Sequence, residues 1–504
     1  MTRRRESMAG NNAAVPRCWG VHDNPDPTGR CAVDETDVIV IGGGPAGENV
    51  ADRVVQGGLS AVLVESELVG GECSYWACMP SKALLRPVHA LRSAQHVAGA
   101  AQAVTGALDV AAVLARRDAV VADWSDDGQV DWLRSAGIVL ARGAGRITGE
   151  REVTVTDEDG GTRVIRARHA VVVATGSDPV VPPVPGLAEA QPWTSREATG
   201  AQQVPESLAI IGGGVVGVEM ATAYAALGSR VTVLARHGLL ERMEPFAGER
   251  VAASLREAGV DVRTGTSVTA VERDDDGVRM ALDGGGEVVA AEVLVATGRR
   301  PRTDDLGLDV VGLVPGEPIA VDDTMRATGH DWLYAVGDAN GRALLTHQGK
   351  YQARAAGDVI VARATGARVD DHAWGRHVAT ADERAVPQVV FSDPEVAAVG
   401  MTAAEAERSG ARTRVVDHDL GAVAGAYLHA DGYAGQARMV VDADTGVLLG
   451  ATFVGPDVAE LLHAATVAVV GQVPLARLWH AVPAYPTVSE VWLRLLETYG
   501  RDSA

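Results

Sequence analysis

Two thiols are the residues of this chain best placed to do chemistry. Cys73 and Cys78 lie five positions apart in Gly70-Gly71-Glu72-Cys73-Ser74-Tyr75-Trp76-Ala77-Cys78-Met79-Pro80-Ser81-Lys82, and only Cys18 and Cys31 are found elsewhere among 504 residues. Neighbouring thiols can cycle between dithiol and disulfide and so pass two electrons onward by exchange. In a regular helix, five positions leave Cα atoms about 8–9 Å apart, beyond the ~4.4–6.8 Å that a disulfide spans. The two cysteines therefore cannot share one ideal helix. Gly70 and Gly71 loosen the approach, and Pro80 suits an early helical turn. The expectation is Cys73 in a bent loop and Cys78 at a helix start, where the N-terminus lowers a thiol pKa.

Two copies of one element must position this segment. The first opens with the apolar run Asp37-Val38-Ile39-Val40-Ile41, then Gly42-Gly43-Gly44-Pro45-Ala46-Gly47, with a helix expected from Glu48. Its second strand, Ala61-Val62-Leu63-Val64, ends on Glu65. Gly42, Gly44 and Gly47 allow a tight turn and let a pyrophosphate approach the helix N-terminus. Glu65 stands 23 positions after Gly42 (65 − 42), where a carboxylate accepts from ribose hydroxyls. The second copy reads Leu208-Ala209-Ile210-Ile211, Gly212-Gly213-Gly214-Val215-Val216-Gly217, a helix, and Val231-Thr232-Val233-Leu234. At the same offset (235 − 212 = 23) stands Ala235, followed by Arg236 and His237, with Arg242 close behind. The missing acid and the nearby cations favour a 2′-phosphate, hence NADPH over NADH. Two dinucleotide sites in one chain are most simply filled by a bound flavin and a diffusing nicotinamide.

Composition sets the frame. The length favours several domains, and 47% hydrophobic residues can fill large cores. A net charge of −21 disfavours nucleic acid and anionic membranes as partners, and no apolar run reaches the length of a membrane span. Lysine is nearly absent and arginine carries the positive charge, a pattern read here as codon bias. Residues 1–34 read as a flexible extension. Its Arg3-Arg4-Arg5 precedes no apolar stretch, so no signal peptide is expected, and the few cysteines fit a reducing cytoplasm. Cys18, His22 and Cys31 match no zinc spacing, so no metal is expected.

Taken in order, these motifs resemble the flavin-dependent pyridine nucleotide–disulfide oxidoreductases, the family of dihydrolipoamide dehydrogenase, glutathione reductase and mercuric reductase. GGECSYWACMPSK is similar to the family's redox segment. Ala174-Thr175-Gly176-Ser177, Ala296-Thr297-Gly298-Arg299-Arg300-Pro301, Tyr334-Ala335-Val336-Gly337-Asp338 and VPQVVFSDPEVAAVG at 386–400 follow in family order. The resemblance implies an α/β fold with two Rossmann-like domains, for FAD and NAD(P), and a C-terminal α+β dimerisation domain. The implied boundaries are 35–186 and 304–375 for the two parts of the FAD domain, 187–303 for the NAD(P) domain and 376–504 for dimerisation.

By the same resemblance, Cys78 is the flavin-side thiol, Cys73 the interchange thiol, and Lys82 with Glu219 a pair beside the flavin ring. FAD is expected on Gly42, Gly44, Pro45, Ala46, Gly47, Glu65 and Ser66. The redox segment adds Gly71, Glu72 and Lys82, and the hinge adds Ala174, Thr175 and Gly176. Gly337, Asp338, Leu345, Thr346 and His347 complete that set. NADPH is expected on Gly212, Gly214, Val215, Val216, Gly217 and Glu219, then on Arg236, His237, Arg242, Thr297, Gly298 and Arg299. A homodimer is implied because each site borrows the partner's C-terminus.

Two departures bear on function. The family's disulfide reductases carry a C-terminal His-Pro-x-x-x-x-Glu dyad. Here Ala484-Tyr485-Pro486-Thr487-Val488-Ser489-Glu490 puts Tyr485 where the histidine would be and keeps Glu490. Tyrosine, with a pKa near ~10, is a poor base at neutral pH. The residues between the cysteines, Ser74-Tyr75-Trp76-Ala77, are bulkier than the family's usual small or polar ones, and two roles stay open for them: reshaping the thiol side of the flavin, or only filling core. Mercuric reductases share the tyrosine but use a further C-terminal cysteine pair, and no cysteine follows Cys78, so mercury reduction is not expected. The expected function is an NADPH-dependent FAD enzyme acting on a small disulfide. The alternative is a quinone or dye reductase whose electrons leave the flavin directly. A subunit of a dehydrogenase complex is a third class, but no lipoyl or subunit-binding segment supports it.

Overall fold

The computed structural model describes residues 35–501, so the extension with Cys18, His22 and Cys31 lies outside the described residues. Strand β1 (Glu35–Ile41) is central to the first sheet. It pairs in parallel with β2 (Ala61–Glu65) on one side and with Thr162–Val173 on the other. Val38, Ile39, Val40 and Ile41 are almost wholly buried, as expected of a parallel strand covered on both faces. Val139–Arg142 extends the sheet beyond β2, and Glu152–Thr156 and Ala144–Gly149 extend it antiparallel at the far edge. Much later in the chain, Leu333–Ala335 returns to pair with Thr162–Val173.

Helix α1 (Pro45–Gln56) begins three residues before the expected Glu48. The fixed φ of Pro45 pre-forms the first helical position, so the helix starts directly after Gly44. It lies against the helix Thr346–Thr365, which carries glycine at the contact. A Cβ on Gly357 would sit 2.5 Å from Arg53 Cβ, and one on Gly349 would sit 3.2 Å from Gly337 Cα. Close packing thus brings the segment around Gly337 against the first glycine-rich pattern.

The second glycine-rich pattern forms its own parallel sheet, in the order Asp261–Thr264, Arg230–Ala235, Ser207–Ile211, Glu292–Val295. The third unit is a five-stranded antiparallel sheet from Pro387–Val390 to Leu448–Gly455, with a core around Met439, Phe453 and Leu495.

The redox segment folds as α2 (Gly71–Tyr75) followed by α3 (Cys78–Gln95). Cys73 therefore lies in a short helical turn, and the expected bent loop is corrected. The bend falls one step later, at Trp76 (φ −135°, ψ 1°) and Ala77 (φ −135°, ψ −95°). Breaking the helix there meets the requirement that the two cysteines not share one helix. Cys78 opens α3, and Pro80 sits in its first turn, both as expected.

Candidate active site

The two thiols are unbonded here and partly buried. Cys78 Sγ lies 3.3 Å from Thr346 Oγ1, at the first position of the helix Thr346–Thr365. The hydrogen bond from Cys73 lowers the Cys78 pKa despite burial, and Thr346 and Lys82 act in the same direction. The same hydrogen bond, with burial, holds the Cys73 thiol well above its ordinary value. The pair therefore favours ionisation at Cys78 over Cys73.

Lys82, one turn into α3, donates to Glu219 at 2.7 Å across 137 residues of sequence. Glu219 is 3% exposed and also accepts from Phe391 N at 3.0 Å. Removing one partner of a buried pair costs ~3–5 kcal/mol, with the lower end applying here because Lys82 is about a third exposed. The chain has only two lysines, and the second is Lys350. Its charge opposes the raised pKa of Cys73, as Lys82 favours the thiolate of Cys78. The charges of both lysines therefore favour ionisation of the thiol pair. A compact, titratable ammonium differs from a guanidinium at such a site. Glu48 lies within the field of Lys350 and Glu65. Burial pushes its carboxyl up to about 7, and its Oε1 has no hydrogen-bond partner.

The residues around the first fingerprint fit a dinucleotide. Gly44 caps α1 with no side-chain hydrogen bond to its first turn, and a Cβ there would meet only Gly71 Cα, at 3.9 Å. Free N–H donors and open space at a helix start suit a pyrophosphate. Glu65 closes the turn by accepting from Gly43 N at 2.6 Å, and Ser66 follows it. Gly71 (φ 58°) and Gly176 (φ 74°) adopt left-handed conformations beside it. Asp338 accepts from Ser177 Oγ at 2.5 Å, and burial raises its pKa. Gly337, at φ 68°, gives its N–H to Gln352 at 2.7 Å. The second fingerprint repeats the arrangement: Gly214 caps Val215–Ala226 without a side chain, and nothing lies near its Cβ position. Arg236, His237 and Arg242 are exposed just beyond the strand Arg230–Ala235, and neither arginine has a carboxylate partner among the described residues.

The pyridine nucleotide-disulphide oxidoreductase family matches residues 36–360, and its dimerisation domain matches residues 386–495. This chain belongs to that family. A mercuric reductase from Acidithiobacillus ferrooxidans is 34% identical over 97% of this chain and 87% of its own length. Dihydrolipoyl dehydrogenase 2 from Haloarcula marismortui is 33% identical over 90% of this chain and 94% of its own. Among solved structures, LpdA from Mycobacterium tuberculosis has a TM-score of 0.77 at 26% identity, covering 91% of this chain and 99% of that one. The Escherichia coli HOCl-induced flavoprotein disulfide reductase RclA, as a Cu(II) complex, has a TM-score of 0.79 at 24% identity. It covers 92% of this chain and 99% of that one, a likeness of fold alone. The oxidoreductase is thus a flavoprotein enzyme that uses FAD and a pyridine nucleotide.

Not every expected residue joins the thiols. Tyr485 is 77% exposed, while Glu490 is buried and paired with Arg494, and among the described residues no hydrogen bond links either to Cys73 or Cys78. Arg299 turns its guanidinium to the hinge, donating to Ser177 Oγ at 2.7 Å and Ser195 Oγ at 3.3 Å. Thr297 donates to Val180 O at 2.9 Å, and His347 Nε2 lies 2.7 Å from Pro387 O. Sequence reasoning missed Arg196, Lys350 and Glu48. Only Lys350 had a signal, the rarity of its residue type.

Proposed function

We propose that the oxidoreductase takes hydride from NADPH and reduces a small disulfide through Cys73 and Cys78. The two free thiols set across the Trp76–Ala77 break, with Cys78 opening α3 at 3.3 Å from Thr346 Oγ1, carry this reading. A thiolate favoured by Thr346 and by the charge of Lys82 suits the flavin side, while Cys73, the interchange thiol, must give up its proton before it attacks an outside disulfide. When bound, FAD supplies the relay between nicotinamide hydride and disulfide. The protein's part is to hold and orient. Gly44 and the first turn of α1 receive the pyrophosphate, Glu65 the ribose, and Asp338 the ribityl–phosphate region. Arg236, His237 and Arg242 receive the 2′-phosphate, which favours NADPH.

In the exchange step, the Cys73 sulfur attacks the substrate disulfide and expels one thiol. Cys78 then displaces the second thiol and closes the Cys73–Cys78 bond. The proton of Cys73 goes to the first departing sulfur and solvent supplies the second, so the dithiol is oxidised by two electrons as the substrate is reduced by two. The enzyme works as a homodimer in which the C-terminal segment with Tyr485 and Glu490 covers the thiols of the other copy. A second reading rests on Tyr485, which leaves Cys73 without a histidine base: electrons leave directly to a quinone or dye. Turnover by the Cys73→Ser/Cys78→Ser double variant separates the two. Loss of activity with the best acceptor supports disulfide chemistry, and full activity supports the second reading.

A further inference from the structure

Of the two aromatic residues between the cysteines, Tyr75 is core. It is 1% exposed, and its hydroxyl donates to Val69 O at 3.0 Å. Trp76 is different. It stands at the break between α2 and α3, and the Arg196 guanidinium carbon lies 4.2 Å from its ring centroid. The same guanidinium donates to Glu72 at 2.8 and 3.0 Å and to Glu67 at 2.9 and 3.1 Å. Thr199, on the same short helix Ser195–Gly200, donates its hydroxyl to Trp76 O at 3.0 Å. The residue before Cys73 and the residue at the bend are thus held from one side by a single helix. That hold continues toward the cofactor. Arg299 lies 3.7 Å from Glu72 and donates to Ser177, which donates to Asp338.

We propose that Arg196 is a positioning residue for the redox disulfide, fixing the Trp76–Ala77 bend that brings the Cys73 sulfur to Cys78. The inference rests on the reading that these thiols form the working disulfide. A disulfide forms readily when its thiols are already held together, and loosening the bend lowers the effective concentration of one thiol at the other. Arginine suits this place because its planar fork can pair with a carboxylate while its face lies on an indole. Lysine can supply the charge but neither the fork nor the face. Trp76 then serves as the plate on which Arg196 rests, a role open to any flat aromatic ring.

The test is the thiol–disulfide equilibrium of the FAD-loaded enzyme in glutathione redox buffers, read by alkylation and mass shift at Cys73 and Cys78. FAD content and melting temperature are measured alongside. Arg196→Ala is expected to lower the equilibrium constant for disulfide formation about tenfold, equivalent to ~30 mV for a two-electron couple. Arg196→Lys should fall between Arg196→Ala and wild type. Trp76→Phe should stay within about twofold of wild type, and Trp76→Ala should match Arg196→Ala. If Arg196→Ala does not fold, the Trp76→Phe and Trp76→Ala pair decides. Equal equilibria for those two variants, or an unchanged equilibrium in a folded Arg196→Ala, overturn the inference. A wild-type enzyme that forms no Cys73–Cys78 disulfide overturns the proposed function instead.

Discussion

Gly44 and Gly47 lie three residues apart and face different constraints. A Cβ on Gly47 would sit 1.9 Å from Gly42 O, whereas Gly44 has an ordinary φ of −74° and open space beside it. Gly44→Val should therefore fold yet purify colourless, because its side chain fills the pyrophosphate approach. Gly47→Ala should not accumulate as folded protein. Yellow, folded Gly44→Val would contradict this placement of FAD. At the second fingerprint, Arg236→Glu should raise the KM for NADPH at least about tenfold relative to that for NADH, since a 2′-phosphate would then face a carboxylate. Equal use of both nucleotides by wild type would sink the preference. At this scale much was legible. Cys73, Cys78 and the glycines were evident because their chemistry depends on local spacing. Lys350 was not singled out, because its influence on Cys73 runs across more than 270 residues of sequence. Arg196 was invisible, because its contacts with Glu67, Glu72 and Trp76 span 120 residues or more of sequence.

Among elements, the buried parallel strands were the most legible, because both their faces are covered and their sequences are unbroken apolar runs. The start of α1 is hard to place from sequence because Pro45 suits a turn as well as the first position of a helix. The bend in the redox segment was misplaced because spacing excludes a shared helix but does not say where the break falls. The strand Glu395–Gly400 adds a test of pH dependence. Glu395 is 7% exposed, and burial raises its carboxyl to about 7, while Ala459 N donates to it at 3.0 Å. A carboxyl raised in the folded state favours folding below its unfolded pKa, and that stability is lost as pH rises through the folded value. The window therefore runs from about 4.5 to about 7. Glutamine at this site can still accept from Ala459 and never ionises. Glu395→Gln should melt higher than wild type at pH 8 and close to it at pH 5. The same difference in melting temperature at both pH values would rule out ionisation of Glu395 as the cause.

For the whole molecule, the third unit leaves Tyr427, Leu428, Val482 and Tyr485 at least 65% exposed on a domain matched to dimerisation. The expectation is a homodimer by light scattering, and a fully active monomer would contradict it. Tyr485→His should raise disulfide turnover at neutral pH by ~10²–10⁴, the range for a well-placed base. In wild type the rate should climb as pH rises, because Cys73 must lose its proton without a histidine. A flat pH profile would remove that argument. The central claim is that electrons from NADPH pass through Cys73 and Cys78. The most direct test is to titrate oxidised, FAD-loaded enzyme with NADPH under anaerobic conditions and count alkylatable thiols per chain as electrons enter. Two new thiols, at Cys73 and Cys78, should follow the first electron pair. Flavin that bleaches fully while both cysteines stay oxidised would contradict the account.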